Sequence, residues 1–96
     1  MIASFGDKTT EALFNGTPRR DFKTIPSDIQ PVAVRKLDMV NAAATLEDLR
    51  SPPGNRLEPI KGDQKGLHSI RVNDQWRIIF RWSENSAEDV EIVDYH

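Results

Sequence analysis

The chain has 96 residues, 38% of them hydrophobic and 29% charged, with a formal net charge of −2 and no cysteine. This profile fits one small globular domain, 1–96, and excludes a disordered chain, a disulfide framework and a cysteine-based metal centre. Met1 to Asp7 lacks the basic segment and apolar core of a secretory signal, and no apolar run approaches the roughly 20 residues that span a bilayer, so the expectation is a soluble cytoplasmic protein with no membrane partner.

In chain order, Met1 to Phe5 reads as a short first strand, and Asp7 to Phe14 as a short helix capped by Asp7. The turn residues Asn15-Gly16-Thr17-Pro18 end it. A longer helix starts near Ser27-Asp28, with Pro31 in its first turn, where a missing N–H costs little. Its apolar residues Ile29, Val32, Ala33, Leu37, Val40 and Ala44 form one stripe, with Arg35 and Asp38 on the other side. Thr45 is a candidate cap for one more helical turn through Leu49. Ser51-Pro52-Pro53-Gly54-Asn55 then breaks the helical pattern.

The rest reads as β. Leu57 to Lys61 is a strand that Pro59 confines to an edge or a bulge. After a turn at Lys61 to Gly66, His68, Ile70 and Val72 alternate with Ser69 and Arg71. After a second turn at Asn73 to Gln75, Trp76, Ile78, Phe80 and Trp82 alternate with Arg77, Ile79 and Arg81. These two runs form a hairpin. A last strand, Val90 to His96, has Val90 and Ile92 on one face and Val93 and Tyr95 on the other, and pattern alone does not choose its core side.

Charge is unevenly spread. Arg50 to Arg81 holds seven bases and three acids, a net of +4, whereas Trp82 to His96 holds five acids and no lysine or arginine. Pairing the hairpin by its apolar faces puts Arg71, Arg77 and Arg81 together on the opposite face, a set of guanidinium donors suited to phosphate. An ordinary solvated sheet face is the other reading. His96 has an imidazole suited to proton transfer near neutrality, Tyr95 can stack on a base, and Asp94 can orient a neighbour. A frayed end is the alternative there. His68 shares a face with Ile70 and Val72 and reads as structural. Glu58 and Asp63 are close in sequence, but nothing fixes their geometry. No P-loop, GxSxG elbow or zinc spacing occurs, so neither a metal nor a cofactor is expected.

The segments Arg50-Ser51-Pro52-Pro53-Gly54-Asn55-Arg56-Leu57, Lys61-Gly62-Asp63, His68 through Ile78 and Val90 through His96 resemble the HigB branch of the RelE toxin superfamily, as does Met1 to Phe5. The combination of Asn73-Asp74-Gln75-Trp76-Arg77-Ile78 with a terminal Asp94-Tyr95-His96 carries the likeness, which covers nearly the whole chain and is weakest from Asn15 to Ser27. The resemblance implies an α+β fold, a small curved, mainly antiparallel sheet with two N-terminal helices packed on one side. It implies a toxin of a type II toxin–antitoxin system, a metal-independent endoribonuclease that cuts messenger RNA on the ribosome. A HigA-like helix-turn-helix antitoxin would neutralise it and carry it to operator DNA.

By the same resemblance, Lys61, Arg77, Asp94, Tyr95 and His96 match family functional positions. Lys61 and Arg77 would neutralise the phosphate, His96 act as acid or base, Tyr95 stack on a base and Asp94 position its neighbours. Glu58 stands where some relatives carry histidine and is an alternative base. Arg56, Arg71 and Arg81 are candidate RNA contacts. A ParE-like gyrase inhibitor of the same fold and a non-catalytic nucleic-acid- or antitoxin-binding module are the competing readings.

Overall fold

A computed structural model describes residues 1–17, 25–60 and 66–94. The sheet has four strands in the order β1-β2-β3-β4: β1 (Glu58–Pro59), β2 (Leu67–Arg71), β3 (Trp76–Ser83) and β4 (Ser86–Asp94). Every adjacent pair is antiparallel. The helices are α1 (Lys8–Asn15) and α2 (Gln30–Ala42), with 3₁₀ turns at Leu46–Arg50 and Pro53–Asn55 between α2 and the sheet. This is the expected α+β arrangement.

Local chemistry explains most boundaries. Asp7 caps α1 by accepting from the Thr10 N–H at 2.8 Å, and Gly16 closes it in the left-handed conformation at φ 75°. Helix α2 begins at Gln30, later than the sequence suggests. Pro26 to Ile29 form a turn instead, in which the Ile29 N–H donates to the Pro26 carbonyl. Pro31 does sit in the first turn of α2. The 3₁₀ turn at Leu46–Arg50 carries a reciprocal capping box between Thr45 and Asp48. Hydrogen bonds donated by the Thr45 and Ala44 N–H groups hold the Asp48 carboxyl below its ordinary pKa.

The core lies between α2 and one face of the sheet. Ala33, Leu37 and Val40 are fully buried, as are Ile70, Ile78, Phe80, Ala87, Val90 and Ile92. The predicted stripe on α2 holds at Ile29, Ala33, Leu37 and Val40, while Val32 is half-buried. It fails at Ala44, because the helix stops at Ala42 and the extended Ala43 turns inward in its place.

The core side of the last strand, which pattern left undecided, is the side of Val90 and Ile92, and the strand starts at Ser86, earlier than the sequence suggests, with a bulge in the added part. Between Ile79 and Arg81 of β3, the pairing on β4 skips from Glu91 to Glu88, and Asp89 takes φ 54°. The extra residue changes the phase of alternation. Ala87 and Val90 therefore both face the core, although three positions apart, and Ile92 follows in register. The β3–β4 turn is the two-residue pair Glu84-Asn85, both with positive φ, which matches the twist of the strands.

Met1 to Gly6 runs parallel to β4 along its outer edge. Backbone bonds link Ala3 and Met1 to Ala87, and Gly6 and Ser4 to Val90. The first segment thus pairs as the sequence suggests, in bridges rather than as a full strand, and covers an edge that would otherwise be open. Proline confines β1 to the opposite edge, as expected.

Candidate functional site

The face of the sheet away from the helices gathers the candidate residues. Pairing puts Arg71 directly across from Arg77, Ser69 across from Ile79, and Glu58 across from Ser69. Arg77, Arg71, Ser69 and Glu58 therefore share one face on three neighbouring strands. Arg81 lies four residues further along β3, roughly 13 Å away at the rise of a strand, across from Leu67.

Arg77 is the centre of this face. Its Nε donates to Ser69 Oγ at 2.9 Å and its Nη2 to the Arg56 carbonyl at 2.7 Å. Its Nη1 lies 3.6 Å from a Glu58 carboxylate oxygen, with the Arg77 side chain only 12% exposed and that of Glu58 60%. The sequence places Arg77 on the outer face, and it is there, but it is largely covered. The loop carrying Arg56 folds over it.

Arg71 makes an ion pair with the exposed Asp74 in the adjoining turn. Arg71 and Arg77 therefore each already face a carboxylate. The positive potential expected from the count of bases is partly neutralised, and a polyanion would compete with Glu58 and Asp74 for them. Arg56 itself sits in the left-handed region at φ 45°, just after the second 3₁₀ turn.

Asp94 pairs with Trp76, one position from Arg77 on the neighbouring strand, and is exposed. It belongs to the opposite set of the alternation, so it lies at the end of the sheet rather than on the Arg77 face. Its carboxylate accepts from Gln75 Nε2 at 3.0 Å. Lys61, Tyr95 and His96 lie outside the described residues. His68, read as structural, stacks on Phe80 with ring centroids 6.3 Å apart, and its Nδ1 lies 3.0 Å from the Gly66 carbonyl.

Sequence reasoning missed two groups. Alternation put Ser69 on the arginine face, but nothing marked it as a partner of Arg77. Lys36 and Asn55 carried no signal at all. Asn55 is fully buried, its Oδ1 accepts from Lys36 Nζ, and its amide donates to the carbonyls of Leu49 at 3.2 Å and Ser51 at 3.4 Å. Burial, followed by the charges of Arg35 and Arg71, lowers the Lys36 pKa.

Residues 3–96 match the family described as the RelE-like toxin HigB of type II toxin–antitoxin systems. This chain belongs to the HigB-like toxin family. It is 44% identical over 87 residues to Toxin HigB-1 of Vibrio cholerae serotype O1, covering 91% of this chain and 90% of that one. It is 31% identical over 101 residues to Endoribonuclease HigB of Proteus vulgaris, covering both chains completely. Among solved structures, the YoeB-YefM complex from Staphylococcus aureus contains a chain that superposes with a TM-score of 0.59 at 11% identity, over 100% of this chain and 98% of that one. That likeness establishes the RelE-like fold. As a HigB-like toxin of a type II system, the protein has an antitoxin partner.

Among the described residues, no group of three or more His, Cys, Asp or Glu side chains is placed to hold a metal ion, and no helix is long and apolar enough to cross a membrane.

Proposed function

We propose that this toxin is an endoribonuclease that cuts messenger RNA on the ribosome, with Arg77 at the scissile phosphate and a HigA-like helix-turn-helix protein as its antitoxin. Family membership supports the toxin role, and the name of the Proteus vulgaris relative supports the endoribonuclease activity. The observation that carries the site is the Arg77 guanidinium, held on the outer sheet face by Ser69 and the Arg56 carbonyl with a carboxylate 3.6 Å away.

RNA cleavage without a metal needs a base for the 2′-hydroxyl, positive charge at the phosphate, an acid for the leaving 5′-oxygen and a substrate held in line. In this reading Arg77 and Lys61 supply the charge, and His96 acts as acid or base. Tyr95 stacks on a base and Asp94 orients its neighbours. Glu58 is the alternative base, positioned so that a phosphate reaching Arg77 comes up beside its carboxylate. Arg56, Arg71 and Arg81 line the approach of the strand, with Arg81 far enough from Arg77 to meet a different phosphate.

The test is translation of a defined message by purified ribosomes with the protein added, followed by mapping of cut sites. Discrete cuts within the message are expected, and Arg77→Ala should slow them on the order of 10² to 10³-fold. An intact message, with growth unaffected by high expression, would overturn the reading. Growth arrest with an intact message and inhibited gyrase would point to the ParE-like activity instead.

A further inference from the structure

An arginine on an open sheet face samples many rotamers, and fixing so long a side chain costs conformational entropy. Arg77 is fixed from two directions. Ser69 on β2 accepts from Nε, and the Arg56 carbonyl accepts from Nη2. Two acceptors on two different nitrogens define the plane of a guanidinium, and they belong to separate elements of the fold. Ser69 is only 2% exposed, so it is too covered to meet a substrate itself.

The second acceptor depends on an unusual backbone. Arg56 takes φ 45°, a left-handed conformation that is strained for a non-glycine residue and persists only when its surroundings hold it. Asn55, immediately before it, supplies that hold. Its side chain is completely buried and ties together α2 through Lys36, the first 3₁₀ turn through the Leu49 carbonyl, and the following loop through the Ser51 carbonyl. Backbone bonds from Asn55 to Pro52 and from Arg56 to Pro53 complete the turn. A buried amide meeting a buried lysine is an expensive way to fill space, because apolar packing often serves stability equally well. What the polar network adds is one defined loop geometry.

We propose that Ser69 and Asn55 are positioning residues that set the orientation of the Arg77 guanidinium, Ser69 by direct contact and Asn55 by fixing the loop that presents the Arg56 carbonyl. This rests on the reading of Arg77 as the phosphate contact. Neither residue touches the substrate; both act through Arg77.

The experiment is single-turnover cleavage of a ribosome-bound message by the full-length toxin, with circular dichroism as the folding control. Ser69→Ala should lower the maximal rate about 10-fold with little change in the ribosome concentration giving half-maximal rate, since misplacing a catalytic group acts on the chemical step. Ser69→Thr, which restores a hydroxyl, should recover most of the rate. In an Arg77→Ala background, Ser69→Ala should have no further effect. Asn55→Asp keeps an acceptor for Lys36 but loses both amide donors, and should lower the maximal rate several-fold in a folded protein. Nitrogen-15 spectra of the Arg77 Nε–H should show faster proton exchange in Ser69→Ala and Asn55→Asp. A wild-type rate and unchanged exchange in Ser69→Ala would overturn the proposal, as would losses that add fully to Arg77→Ala. Full activity of Arg77→Ala would instead remove Arg77 from the site and take the proposal with it.

Discussion

On strand β3, Ile78 and Phe80 point into the core and are fully buried, while Arg77 points the other way and is still only 12% exposed. The core face is sealed and the outer face is only partly covered, and the cover is reached by different means. The core face is packed by α2 and needs only apolar shapes of the right volume. The outer face is covered by a loop, and its polar groups are met one by one: Ser69 Oγ, the Arg56 carbonyl and the Glu58 carboxylate around one guanidinium. Substitutions on the first face should therefore be read in stability, and those around Arg77 in activity as well as in stability.

The largest expected stability effect is on the core side. Phe80→Ala removes a fully buried ring that packs against His68 and Trp82, and should cost about 3–5 kcal/mol in urea unfolding. A smaller loss would mean that the helix layer collapses readily onto the sheet. On the outer side, Asn55→Ala leaves Lys36 Nζ and two loop carbonyls without their partner and should cost roughly 1–3 kcal/mol by the same measurement. A neutral result would show that the loop over Arg77 is held by its backbone alone.

Two pH effects sharpen the contrast further. The folded-state pKa of Lys36 is lowered, so between that value and the ordinary lysine value of 10.5 the unfolded chain binds more protons. Stability should gain a contribution as pH rises through that window, and Lys36→Gln should lack it. Denaturant midpoints at several alkaline pH values give the comparison, and equal slopes would remove Lys36 as the source. The smallest effect is at Asp48, whose folded-state pKa lies below the ordinary 3.8. Its carboxylate contributes stability above that value and loses it as pH falls through the folded value. Asp48→Asn should flatten this part of the acid limb without changing cleavage at neutral pH.

The hairpin that carries Arg71 and Arg77 was legible because alternation is a local code: Ile70, Ile78 and Phe80 mark one face, and the arginines must take the other. The likeness to HigB toxins singled out Arg77 among them and marked Glu58 as a departure from relatives that carry histidine there; that the two side chains lie 3.6 Å apart was not legible. The phase of β4 was not legible. Val90 and Ile92 lie on one side and Val93 and Tyr95 on the other, so alternation names no core side, and the bulge at Asp89 hides the strand's earlier start at Ser86.

By itself, the sequence determined those features whose causes lie within a few residues. These include the Asp7 cap and Gly16 stop of α1, the Thr45 capping box, the edge position of Pro59 and the division of the hairpin into apolar and basic faces. Only the tertiary structure decided that Lys36 is buried beside Asn55, that Met1 to Gly6 runs parallel to β4, and that Arg77 is clamped between Ser69 and the Arg56 carbonyl. Each of these depends on groups at least eight positions apart in the chain, and desolvation and hydrogen bonding between such groups exist only once the chain has brought them together.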